Sequence, residues 1–193
     1  MYDLHSILIQ LKKEDTPLHG VMVRCVRCFY QWLDPTLWEG SALFELWAQE
    51  LELIYGDLRQ RLSPNAKTDA GSLGDRFGFD TPPELPRLLQ SIQTFYSVLI
   101  KLIAWNTLRG ATPEPPLTEL LSGRAFVNRG IRNFCGDDWY IWPLDIWDPA
   151  LETQCEELRA CLDAFDTCPE GSTLSPDSFS RIYETVVPPA LRH

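Results

Sequence analysis

Histidine occurs three times in this chain of 193 residues, as His5, His19 and His193, and no Ser/His/Asp grouping can be assembled around any of them. A glycine-rich nucleotide loop placed after a strand is missing as well. The pair Cys25-x-x-Cys28 could supply half of a tetrahedral zinc site, but no second Cys or His pair follows at suitable spacing, so no metal is expected. A redox CxxC needs a βαβ context that the pattern does not offer, and buried thiols on a helix face are the preferred reading. Acidic neighbours such as Asp137-Asp138 and Glu156-Glu157 read as turns and solvated helix faces, not as acid/base pairs. No complete catalytic constellation is left.

Positive charge is also scarce. Seventeen Lys and Arg stand against 27 Asp and Glu, a net charge of −10, which excludes a surface that embraces DNA all round, since phosphate binding relies on clustered cations. The N-terminus MYDLHSILIQLKK has no basic stretch leading into an apolar run and a cleavage site. The six cysteines (Cys25, Cys28, Cys135, Cys155, Cys161, Cys168) are therefore expected as free thiols in a reducing cytoplasm.

What is present is apolar and aromatic: 45% and 11% of residues, with seven Trp, enough for a folded core. The spacing is helical almost throughout, without an internal repeat or a strand series, and predicts an all-α, bundle-like single domain over 1–193 with long irregular loops. Leu18, Val21, Met22, Cys25, Val26, Phe29, Tyr30 and Leu33 form one helix face, ended by Asp34-Pro35. A second segment over 41–62 carries Leu43, Phe44, Trp47, Leu51, Ile54, Tyr55 and Leu58, with Ser41 as its N-cap, and completes an N-terminal helical part over 1–62.

Residues 63–83, rich in Pro, Gly and Asp, read as a long surface loop. The part over 84–193 opens with a run to Leu108 that is apolar on nearly every face. It is long enough to raise the membrane question, but Gln90, Gln93, Lys101 and Asn106 favour a buried helix at the centre of the bundle, and no membrane partner is expected. An Arg-rich and then a Trp-rich segment follow. Two helices close the chain, started by Asp148-Pro149 and Ser175-Pro176 as N-cap and N1.

Lys101 is expected to snorkel or to ion-pair. Residues 123–136 hold Arg124, Arg129 and Arg132 and no carboxylate, so these arginines either bridge to the acidic surface or form a strip that contacts phosphate. Trp139, Tyr140, Trp142 and Trp147 are either core or half of an interface.

Three stretches, in order, resemble one family. TFYSVLIKLIAWNTL resembles the "TYxxLxxKLIA" helix upstream of the catalytic domain in large N6-adenine DNA methyltransferases of restriction-modification and phage-defence systems. GIRNFCGDDWYIWPLDIWDPAL is similar to a second segment of those proteins, and SFSRIYETVVPPALRH to an element that leads into their S-adenosylmethionine-binding domain. The resemblance covers about 94–193. The family's glycine-rich cofactor loop and its Asn-Pro-Pro-Tyr type motif, which holds a flipped adenine, do not occur here, so no catalytic or cofactor residue is carried over and the chain alone is not expected to be an enzyme.

The resemblance implies a non-catalytic N-terminal accessory domain, as a fragment or a split subunit. Its partners would be the catalytic domain, following His193 or on a separate chain, DNA through the complete enzyme, and other subunits of the defence system. Arg124, Arg129 and Arg132 are then the DNA-contact candidates, with Arg192 and His193 at the domain junction. A free-standing helical module that binds another protein is the alternative.

Overall fold

Proline punctuation and one hydroxyl set the first long helix. In the computed structural model, which describes residues 4–34, 44–49, 74–108, 110, 112–135, 140–164 and 176–187, α1 (Leu4–Lys12) is followed by α2 (Pro17–Trp32). Pro17 occupies the first turn of α2, where its missing N–H costs nothing, and the Thr16 hydroxyl accepts from the His19 N–H at 3.4 Å. Then come α3 (Leu85–Leu108), two short helices α4 (Leu117–Leu121) and α5 (Arg124–Val127), a 3-10 turn (Trp142–Leu144), α6 (Pro149–Asp163) and α7 (Pro176–Val186). Residues 44–49 are also helical, and there is no strand among the described residues, so the fold is all-α.

α6 starts as Asp148-Pro149 predicts: the Asp148 carboxylate accepts from the Leu151 N–H at 2.7 Å, with Pro149 in the first turn. Pro176 likewise opens α7, while Ser175 lies outside the described residues. Also outside them are most of 41–62 with Ser41, the first part of the 63–83 segment, Trp139, Cys168, Arg192 and His193.

α2 packs against both α3 and α6, α1 lies across α2 and α7, and α4 is held between α3, α5 and α6. The buried side chains of these helices form one hydrophobic cluster, which includes Met22, Phe29, Phe95, Leu99, Leu158 and Ile182. By length and composition α3 could cross a membrane, yet 83% of its most apolar window is buried inside the fold. Protein surrounds it in place of lipid. Several of its buried polar groups are hydrogen-bonded within the fold: Ser91 Oγ donates to the Arg87 carbonyl at 2.7 Å and Asn106 Nδ2 to Asp163 Oδ1 at 2.9 Å.

The 63–83 segment departs from the surface-loop expectation where it is described. Residues 74–76 make a helical turn, and Phe77 is wholly buried in the core. A single aromatic amid Gly and Asp offers no periodicity, and only the surrounding helices create the slot that it fills.

Candidate functional site

Most of the cations among the described residues are committed to the fold, several of them in one recurrent way. The last carbonyls of a helix lack intrahelical donors and carry the negative end of its dipole, so a cationic donor is favoured there. Arg87 Nε donates to the Tyr30 carbonyl at 2.6 Å and Nη2 to that of Gln31 at 3.3 Å, closing the end of α2, with the guanidinium 4.2 Å over the Tyr30 ring. Lys101 Nζ donates to the Leu121 carbonyl at 2.8 Å, the last residue of α4. Arg76 Nη2 reaches the Thr185 carbonyl in the last turn of α7 at 2.8 Å.

Lys101 therefore does not snorkel. It is 3% exposed and ties α3 to α4. Lys101→Met, similar in length but without the donor, leaves the Leu121 carbonyl buried and unmet; a loss of about 1–3 kcal/mol in chemical denaturation is expected.

Of the three arginines singled out, Arg129 follows the same pattern. It donates to the Leu108 carbonyl at the end of α3 and to Thr112 Oγ1, with its guanidinium 5.1 Å over the Trp105 ring. Arg124 and Arg132 differ: exposed like Arg129, neither has a hydrogen bond or ion pair among the described residues. Elsewhere Arg24 pairs with Glu157 at 2.6 Å, joining α2 to α6, and Arg159 contacts Glu114 and Glu156. Lys12 and Arg181 line a groove between α1 and α7, together with Glu184.

Arg124 and Arg132 are displayed by a tight turn. Gly123, between α4 and α5, has φ +80°, and a Cβ built there would lie 1.9 Å from the Phe134 carbonyl oxygen. Only glycine allows so close an approach of the two backbones. The loop is closed by the Ile131 N–H to the Phe126 carbonyl at 3.1 Å, and the buried Phe126 ring meets Phe134 at 4.5 Å and Trp105 at 5.8 Å. Helices of five and four residues leave no periodic signal, so the sequence reading missed both.

The segment that follows is fastened to α3 by polar contacts. Trp142 Nε1 donates to Thr94 Oγ1 at 2.9 Å in a fully buried setting, and the Tyr140 hydroxyl donates to Gln93 Oε1 at 2.7 Å. The Tyr96 hydroxyl donates to the Phe179 carbonyl at 3.3 Å, and its ring stands edge-on to Tyr183. Trp142 is core, not interface; its indole is edge-on to Phe29 at 5.8 Å. Between α3 and residues 133–135 a cleft of about 420 Å³ remains, lined by Tyr96, Lys101, Asn133, Phe134 and Tyr140 among others.

The CxxC cysteines face a third thiol. Cys25 is buried with its Sγ 3.6 Å from the Gln154 carbonyl, next to Cys155 of α6. Burial pushes the Cys155 thiol up to about 12, with the neighbouring Cys28 adding to it, and pushes Cys28 up to about 11, with Asp148 adding there; Cys25 is raised well above its ordinary value, again first by burial. The attacking species is the thiolate, so raised values make these groups inert. Iodoacetamide at pH 8 is expected to leave Cys25 and Cys155 unmodified in the folded chain and to alkylate them after denaturation, read by peptide mass spectrometry. Labelling of both at the unfolded rate would show that the α2–α6 interface is open. Among the described residues no group of three His, Cys, Asp or Glu side chains could hold a metal ion.

No protein-family profile, curated protein or solved structure matches the chain.

Proposed function

We propose that this chain is a non-catalytic accessory domain of an S-adenosylmethionine-dependent N6-adenine DNA methyltransferase of a restriction-modification or phage-defence system, in which it supports DNA or partner-subunit binding. The observation that carries the reading is that the three stretches resembling that family meet on one helix. Thr94 holds Trp142, and Tyr96 holds Phe179 and Tyr183, so segments far apart in sequence form one packed unit around α3.

The cofactor belongs to the catalytic domain. Its cradle is a glycine-rich loop after a strand, and the described residues of this chain hold no strand. What this chain would supply is position. Arg124 and Arg132 are exposed cations with no hydrogen bond or ion pair among the described residues, on a turn that Gly123 locks, while Arg129 acts by closing α3. Contacts of this kind orient a duplex without reading its sequence.

The complete enzyme tests these roles separately. Arg124→Ala/Arg132→Ala is expected to weaken DNA binding evenly across sequences and to reduce the slope of log affinity against log salt by about 2. Arg129→Ala is expected to lower the unfolding midpoint instead. An unchanged salt slope in the double variant would remove the arginines from the interface. For the domain itself, affinity capture from the native host is expected to recover a methyltransferase or other defence components. Capture of neither, with no methyltransferase reading frame beside this coding sequence, would overturn the proposal. The alternative, a free-standing protein-binding module, predicts partners unrelated to DNA modification; Trp142, read as either core or half of an interface, is enclosed in the core and so is not part of such a surface.

A further inference from the structure

The cleft beside α3 is walled by rings held from behind. The Tyr140 hydroxyl is fixed by Gln93, that of Tyr96 by the Phe179 carbonyl, and the Phe134 ring rests on Phe126, so three aromatic side chains line the space without being free to collapse into it. Its volume of about 420 Å³ falls within the roughly 300–1,000 Å³ of sites for small organic ligands. Asn133 stands exposed at its lip, and its amide has no hydrogen bond among the described residues. A primary amide presents a donor and an acceptor side by side, the pattern that matches the edge of a nucleobase. Arg132, next in the chain, is the exposed cation nearest in sequence to that lip.

From these we infer that the cleft takes one unstacked nucleobase, its face against the aromatic walls and its edge on the Asn133 amide. The inference rests on the DNA-supporting role proposed above and names the part of the nucleic acid that this side of the domain receives. Ring stacking and the amide carry it, because stacking on aromatic side chains binds single-stranded bases with little regard to sequence. The same chemistry would accept a base from a single strand or from a free nucleoside.

The test uses the 193-residue chain, with fluorescein-labelled single-stranded deoxyadenosine octamers at low salt read by anisotropy, and 2′-deoxyadenosine read by calorimetry. The expected result is that an octamer of abasic sugar-phosphate units binds about tenfold more weakly than the base-bearing one. Phe134→Leu, which keeps an apolar contact to Phe126 but removes the flat ring, is expected to weaken base-bearing strands by a similar factor. Asn133→Ala is expected to weaken them several-fold with an unchanged melting temperature, since its amide is exposed and bonded to no described residue.

Binding of the nucleoside with the same sensitivity to both variants supports the cleft with a free base as its source; binding of the strand alone supports it with nucleic acid as the source. Equal affinity for abasic and base-bearing strands, or no effect of either variant, overturns the cleft assignment. If that affinity still depends on Arg124 and Arg132, the DNA-supporting role survives it. Failure of both strands and of the nucleoside to bind overturns the assignment outright, whereas the accessory-domain reading stands or falls separately on the host capture.

Discussion

Gly123→Ala is expected to destabilise the fold by about 3 kcal/mol or more, the larger part from a backbone collision. The left-handed φ of +80° costs an L-residue about 1–2 kcal/mol by itself. The new Cβ would then sit 1.9 Å from the Phe134 oxygen and 2.4 Å from its carbonyl carbon, which no rotamer change can relieve because the obstacle is main chain. The 131–135 turn must move, taking Phe134 off Phe126 and reshaping the cleft.

Gly130 provides the internal control. Its φ of +77° is nearly the same, but a Cβ there meets nothing within 4 Å, so Gly130→Ala is expected to cost only the conformational part. Thermal and denaturant unfolding of the two variants isolates the steric term as their difference. Equal losses at the two positions would mean that the close approach of Gly123 to Phe134 is not maintained in solution.

Trp142→Ala carries an effect of similar size from a different cause. Removing a completely buried indole empties a space bounded by Phe29 and Thr94, and large-to-small core changes of this type cost about 3–5 kcal/mol. Against a total stability of about 5–15 kcal/mol this brings the chain close to unfolding.

The hydrogen bond can be separated from the packing. Thr94→Val leaves the indole N–H buried without its acceptor, at about 1–3 kcal/mol, and Trp142→Phe removes the donor from the other side. With both changes neither polar group remains, so the double variant is expected to lose less than the sum of the single ones in a denaturation cycle. Strict additivity would show that the indole and the hydroxyl do not interact. Because Thr94 and Trp142 belong to two of the three family-like stretches, the coupling also measures how firmly those stretches are joined.

Several elements were legible because their causes are local. Asp148 caps α6 and Pro149 opens it within four residues of chain, and the face of α2 from Leu18 to Leu33 repeats at the helical period; the structure contains both. The all-round apolar character of 84–108 led directly to a helix enclosed by others. The candidate site was legible only in part. The clustering of Arg124, Arg129 and Arg132 could be read, but not that Arg129 would close α3 while the other two make no hydrogen bond among the described residues.

The division has a physical origin. Helix starts are written in the sequence because Thr16 and Asp148 accept from N–H groups three residues on, and the prolines that follow them bring no N–H of their own to the first turn. Helix ends here are closed from afar: Lys101 and Arg129 reach carbonyls about twenty positions away, Arg87 one 57 away, and Arg76 one 109 away. A carbonyl at a helix end accepts from whichever donor the packing brings to it, so no spacing in the chain announces the partner. The amino-acid sequence by itself determined that the protein is helical and where most of its helices begin. The tertiary structure alone decided which cations close those helices, which remain exposed, and that a cleft opens between α3 and the turn locked by Gly123.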